Sequence, residues 1–440
     1  MIHSRFKLFP TAIAAALAVA SCTNEEAQVI PPTGNQIQFT TRVSRATETT
    51  LDVLKGSEEG FKVYADVDDW DNLLINGDVA KWNDAQSAFV LDKKYNWTSD
   101  MKNIRFWAFH PITNVSPAIS ANNIQIRDFT PVASLENPGK TQSDLIIAYN
   151  SVQFGAAPGN AVPLTFQHAL SQISVNVNNA EVSADGRKVV KIAGACIVNV
   201  KNRGSLIFHA NDDDATAAAD NRFTINDANG KYDIEWSLSG ATNASYGLAF
   251  NSDNLINLIP GTSQAAISNG NSETNSSLML VPQKTAKYSF DNPSAAGSYI
   301  LLLCRVEIHH PGETHTGTRE GADESVGSDG KGGHIHQLFP ALQNNTYDET
   351  AYGYTCVPVD FDWKPGLRHI YTLNFLGANA GAGQYPPEDH PEIPTTGIEV
   401  VPTPDDKEPG DNVLDNPITF SVTVADWQNA ADKPTPTPMP

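Results

Sequence analysis

The sequence predicts an all-β chain. Three observations carry that expectation: short runs of Thr, Val, Ile and Phe separated by Asn/Asp/Gly/Ser clusters, an abundance of turn formers with 30 Gly and 28 Pro, and scarce helical periodicity. At 440 residues the chain holds two domains, or one large elaborated β domain, given roughly 100 to 200 residues per domain.

In chain order, the first half offers the candidate strands "IQFTTRV" (37–43), "GFKVYADV" (60–67), "SAFVLDKKYNW" (87–97), "NIRFWAFHP" (103–111), "SDLIIAYN" (143–150) and "VPLTFQHALSQISVNVNNA" (162–180). Each is bounded by turn formers. In "QISVNVN" the apolar Ile173, Val175 and Val177 alternate with Ser174, Asn176 and Asn178, which places one face on a core and one in water. The polar interval "NNAEVSADGRK" then puts a domain boundary near Ala184. Further strands are expected in "VVKIAGACIVNVKNRGSLIF" (189–208), "KYDIEWSLS", "YGLAF", "SSLMLVPQKT", "SYILLLCRVEIHH" and "LRHIYTLNF", interrupted by two long loops. A Pro/Gly-rich linker (377–416), flexible or extended by composition, leads to a terminal strand (418–427). There Ile418, Phe420, Val422 and Val424 alternate with Thr419, Ser421, Thr423 and Ala425.

A net charge of −21 argues against a nucleic-acid partner, because phosphate binding is supplied by clustered Lys and Arg. An acidic surface serves solubility and keeps copies apart until something specific joins them.

The N-terminus reads as an export signal. Arg5 and Lys7 precede a short apolar stretch (9–20), too short for a membrane span of about 20 residues. Val19, Ala20, Ser21 and Cys22 resemble the bacterial lipobox, which implies a signal peptide of residues 1–21, cleavage between Ser21 and Cys22, and a diacylated Cys22. Each buried CH₂ of such a chain contributes about 0.8 kcal/mol of membrane affinity. The following "TNEE" (23–26) resembles the acidic tetrads that send Bacteroidetes lipoproteins to the outer face of the outer membrane.

The remaining Cys196, Cys304 and Cys356 are odd in number and widely spaced, with no CxxC. Cys196 and Cys304 fall inside apolar runs, which favours buried free thiols over a disulfide. His309, His310, His315, His334 and His336, with Glu307, Glu313 and Glu320 among them, are residue types that ligate Zn²⁺. Their spacing matches no H-E-x-x-H pattern, and "HTGTREGADESVGSDGKGGHIHQ" reads as a solvated, variable loop, so neither a metal site nor a cofactor is expected. No G-x-S-x-G, P-loop, dinucleotide-binding or Cys/His protease signature suggests an enzyme. Trp70, Trp82 and Trp97 lie in a polar, turn-rich stretch, either as sugar-stacking faces or as core anchors.

The ordered set "GFKVYA", "IRFWAFHP", "SDLIIA", "LTFQHALSQISVNV", "LMLVPQ", "DWKPGLRHIYTLNF" and "ITFSVTVADW", spread over residues 37–427, resembles the fimbrillin family, the pilins and pilin-like lipoproteins of type V pili in Bacteroidales. The resemblance implies two transthyretin-like β-sandwich domains (46–184 and 185–440), no enzymatic activity, and a lipidated propeptide (22–45) removed by an Arg-specific protease between Arg45 and Ala46. Arg42 offers an alternative bond, and on residue types alone 37–45 also reads as an uncut first strand. A sandwich lacking one strand exposes a groove with unpaired N–H and C=O groups, which other pilin subunits fill by donor-strand exchange. The candidate donor carries Ile418, Phe420, Val422 and Val424; alternatively that strand closes its own domain. Burying all four contributes on the order of 6 to 12 kcal/mol before ordering costs. The resemblance does not separate a stalk subunit from a tip adhesin or from a monomeric surface lipoprotein that binds a glycan or host ligand.

Overall fold

The computed structural model describes residues 36–43, 51–112, 116–120, 123–132, 142, 144–153, 161–181, 187–209, 234–250, 255–264, 277–313 and 326–426. Ser21 and Cys22, Arg45 and Ala46, and His315 and Glu320 lie outside the described residues.

The elements run β1 (Phe39–Val43), a short helix α1 (Leu51–Gly56), β2 (Phe61–Val67), β3 (Ile75–Asn83), β4 (Ala88–Leu91), β5 (Asn103–His110), β6 (Ser116–Ser120), β7 (Asn123–Phe129), β8 (Ile146–Gln153), β9 (Val162–His168) and β10 (Ser171–Asn179). They continue as β11 (Lys188–Lys201), β12 (Gly204–His209), β13 (Ile234–Ser237), β14 (Asn243–Phe250), β15 (Ile256–Leu258), β16 (Ser263–Gln264) and β17 (Ser277–Leu280). The last are β18 (Tyr299–His310), β19 (Gly327–Ser328), β20 (His334–Phe339), β21 (Ala351–Pro358), β22 (Leu367–Phe375), β23 (Glu399–Val401) and β24 (Thr419–Asp426). The all-β expectation therefore holds.

The first sheet differs from the open sandwich expected. It closes on itself as a barrel in the order β1-β4-β3-β2-β5-β8-β9. The closing strand is β1, which pairs antiparallel with β4 and parallel with β9, so neither neighbour is left with an open edge. "NIRFWAFHP" lacks alternation because β5 is covered on both sides. Ile104, Phe106 and Ala108 point into the barrel with Phe61, Val63 and Ala65 of β2. Trp107 and Phe109 point outward, under a four-stranded sheet β13-β12-β7-β6 that presents Ile124, Ile126, Leu206 and Phe208. Gly60, at φ +62°, immediately precedes β2, where a Cβ would stand 2.1 Å from the Ala80 carbonyl oxygen, so only glycine allows β3 so close.

The long run 162–180 is two strands. At Ala169–Leu170 the chain leaves the barrel, and β10 joins the sheet β16-β10-β22-β24, pairing in parallel with β22. The passage between sheets thus precedes the polar interval near Ala184. A buried pair, His168 Nδ1 to Asp144 at 2.8 Å, fixes the end of β9. The sheet containing β10 and β22 shares one core with the sheet built on β11, β14, β18 and β20: Ile173, Val175, Leu373 and Phe375 meet Val190, Ile192, Ile300 and Leu302.

The Pro/Gly-rich segment is extended but packed. Ala382, Tyr385, Ile393 and Val401 are buried, β23 pairs in parallel with β21, and the Cys356 N–H donates to the Gln384 carbonyl at 2.8 Å. Prolines keep this chain extended, and its few large side chains find sites on the outer face of β18 and β21, where Ile393 joins Leu301, Leu303 and Tyr354.

Cys196, Cys304 and Cys356 are buried and unbonded, as expected. Burial pushes all three thiols well above the usual range, and the thiolate is the reactive form. In the native protein these three stay silent toward an aromatic disulfide reagent, and all three react in denaturant. Native-state labelling of any of them, located by mass spectrometry, contradicts this packing.

Candidate functional site

β1 is a short strand with an unusual share of the barrel's interior. Ile37 and Phe39 are at most 1% exposed, and Gln38 and Thr41 are also buried. The Phe39 ring meets Phe61 at 6.2 Å and Phe106 at 5.7 Å, edge-on in both cases. Phe61 in turn touches Phe89 and Phe166. Five consecutive residues, Phe39 to Val43, register against Val162 to Phe166 of β9, whereas β4 contributes the single pair Phe39 with Phe89. Flanking bonds run from Ile37 N–H to the Tyr95 carbonyl (2.7 Å) and from Val162 N–H to the Gln38 carbonyl (2.8 Å). Withdrawing β1 would leave a slot between β4 and β9 floored by four phenylalanines. Arg42 lies within this paired strand, opposite Thr165.

β24 occupies the edge of its own sheet, in antiparallel register with β22 from Thr419 opposite Asn374 to Asp426 opposite Leu367. The four apolar residues expected on one buried face divide. Ile418 is buried and Val422 packs partly on the core, but Phe420 and Val424 are 38% and 53% exposed. In its home position the strand therefore buries about half of its apolar side chains.

The tryptophans do not form a common face: Trp97 sits in the barrel core against Phe106. Trp82 packs edge-on to Phe89 and donates its indole N–H to Asp84 at 2.7 Å. Trp70 is the exposed one of the three. A groove of about 1010 Å³ lies instead beneath the Pro-rich segment, lined among others by Phe339, Tyr354, Tyr385, His390 and Glu392.

Within the histidine segment, His334 and His336 are not in the solvated loop expected. His334 and His336 are buried on β20, and His310, at the end of β18, lies directly across from His334 in the antiparallel register. The His310 and His334 rings stack at 4.7 Å, and His336 stands edge-on to both at 5.2 and 4.9 Å. His309 points elsewhere and bonds Glu307 at 2.9 Å. Glu307 is wholly buried and also holds Arg305 and Lys191.

A family description, fimbrillin-like, matches residues 41–301 of the sequence, more than half of the chain. The chain belongs to the fimbrillin-like family. No curated protein matches it. Among solved structures it is similar to a fimbrial protein from Bacteroides vulgatus, at 14% identity and a TM-score of 0.45, over 90% of this chain and 100% of that one. It is also similar to a candidate cell adhesion protein from Parabacteroides distasonis, at 11% identity and a TM-score of 0.40, over 91% and 99% of the two chains.

In this fimbrillin-like chain, sequence reasoning found β1 and β24 but missed the slot residues Phe89 and Phe166 as a set. Their convergence depends on a parallel pairing between segments more than a hundred residues apart. The histidine triad carried a local signal, since H-x-H in a strand puts both rings on one face.

Proposed function

We propose that this chain is a pilin subunit of a type V pilus, with a structural and not an enzymatic role at the cell surface. It is exported as a lipoprotein precursor anchored to the outer membrane through Cys22 and trimmed between Arg45 and Ala46 by an Arg-specific protease. It then polymerises when a strand from another subunit takes the place of β1. The observation that carries this reading is the position of β1: one short N-terminal strand, at the very end of the described barrel, both completes the sheet and plugs the core. Arg42 sits inside the paired strand, opposite Thr165, which argues against cutting after Arg42 because proteases need unpaired, extended substrate.

The donor in this reading is the terminal strand with Ile418, Phe420, Val422 and Val424. Among the described residues it pairs at home with β22 alone; in the slot it would lie between β4 and β9 and bury Phe420 and Val424 as well. Full burial of such side chains contributes about 1.5 to 3 kcal/mol each, which helps offset the lost edge pairing. The two-sandwich, transthyretin-like description expected of the family fits the sheet pair around β10 and β11 more readily than the barrel.

The test is the N-terminal residue of the protein on intact cells, followed by treatment of the purified precursor with an Arg-specific protease. Expected are a chain starting at Ala46 and a ladder of SDS-resistant oligomers. Val422→Asp should suppress the ladder while leaving the trimming intact. A trimmed protein that stays monomeric would falsify the stalk role. A second reading, a tip adhesin or monomeric lipoprotein that binds a glycan or host ligand, draws on the aromatic groove beneath the Pro-rich segment. Glycan-array binding that is lost on Tyr385→Ala, without any ladder, would favour it.

A further inference from the structure

We propose that His310, His334 and His336 form a binding site for a borderline divalent transition-metal ion of the Zn²⁺ class, held by these three imidazoles and a fourth ligand from outside the triad. Nothing in the pilus reading requires this site, and the two stand or fall separately.

The placement follows from register. His310 and His334 are directly opposed on antiparallel strands, and His336, two residues along β20, shares their face. One ligand nitrogen from each residue lies within 4.8 Å of the others. Nitrogens on a tetrahedral Zn²⁺ at about 2.1 Å stand about 3.4 Å apart, so side-chain rotation can close the difference without moving the strands. β20 is hydrogen-bonded on both sides, to β18 and β19, and a site on paired strands is held more accurately than one on a loop.

The surroundings supply the outer contacts that orient metal-binding imidazoles. His334 Nδ1 lies 2.7 Å from the Glu313 carbonyl oxygen; donating its proton there leaves Nε2 as a lone-pair ligand. His310 Nδ1 has two neighbours, the Arg187 guanidinium at 3.0 Å and the Glu313 carboxylate at 3.4 Å. Without metal it accepts from Arg187. On loading, the His310 proton moves from Nε2 to Nδ1 and is donated to Glu313, freeing Nε2 for the metal. Arg187 remains paired with Glu313 at 2.9 Å, so its charge does not stand alone beside the cation. Three imidazoles with no carboxylate or thiolate in the set suit Zn²⁺, Co²⁺ or Cu²⁺ rather than Mg²⁺ or Ca²⁺.

The experiment is calorimetric titration of the full chain with Zn²⁺, alongside the visible spectrum of the chain loaded with Co²⁺. Expected are one equivalent of Zn²⁺ and a Co²⁺ band of tetrahedral intensity. His310→Gln, at the least buried of the three positions, and His336→Gln should each weaken Zn²⁺ binding at least tenfold, on the order of what losing even an outer contact costs, and abolish the Co²⁺ band. His390→Gln, whose ring packs on Tyr354 at 4.4 Å, should change neither. Absence of a stoichiometric equivalent overturns the proposal. So does a His310→Gln chain with the parent's circular dichroism that binds Zn²⁺ as the parent does.

Discussion

Phe39→Ala should lower the stability of the untrimmed precursor by about 3 to 5 kcal/mol, the range for truncating a buried phenylalanine. Phe39 is fully buried, and its neighbours Phe61 and Phe106 stand on different strands, so collapse around the cavity would have to distort the barrel. Urea unfolding of precursor and variant measures the loss. If the chain is trimmed as proposed, the same substitution should leave assembled material untouched, because a chain starting at Ala46 no longer contains residue 39. A variant as stable as its parent would mean that β1 contributes little to the barrel, and the view of it as a plug would fall with that result.

Acid should destabilise the fold in two steps, the upper led by His369 and the lower by Glu307. His369 is 1% exposed and accepts the Lys364 N–H at Nε2; burial lowers its pKa from 6.5 to about 4. An imidazole whose folded pKa is depressed contributes stability that is present above its unfolded value and lost as pH falls from about 6.5 toward 4. Glu307 governs the lower step. Burial pushes its pKa up, but hydrogen bonds from His309, Lys191 and Arg305 override this and hold it at about 2. Its contribution is complete above the ordinary carboxylate value and disappears between about 4.5 and 2. At neutral pH Glu307→Gln leaves the buried Arg305 without its carboxylate, which costs about 3 to 5 kcal/mol. Melting temperature against pH for the parent, His369→Gln and Glu307→Gln checks both steps. His369→Gln should flatten the upper limb, and Glu307→Gln the lower.

Much of the strand content was legible because it rests on local pattern. Phe61, Val63 and Ala65 repeat every second residue and enter the barrel core; Ile173, Val175 and Val177 do the same in the second core. β3, β7 and β21 were not read from the sequence. β3 pairs with its chain neighbours β2 and β4, but its run "INGDVAKWN" is largely polar; β7 and β21 answer to distant partners, β12 for Ile124 and Ile126 and β18 for Tyr354 and Cys356, and no short-range signal records those pairings. The Pro-rich segment was legible as extended and illegible as packed, since composition specifies backbone stiffness but not the sites that receive Tyr385 and Ile393. At the histidines, "HIHQ" carried the correct two-residue period. The Gly- and Asp-rich stretch before it concealed the fact that His310 and His334 face each other.

The passage at Ala169–Leu170 bears on how a chain of such subunits would carry tension. Two residues join β9 to β10, and they are tied in three directions: Ala169 N–H to the Leu145 carbonyl, the Trp236 indole to the Ala169 carbonyl, and Gly366 N–H to the Leu170 carbonyl. A joint this short and this fully bonded has no slack to pay out. A load entering through the barrel passes directly into the second pair of sheets, so the subunit would act as a stiff link and not as a hinge.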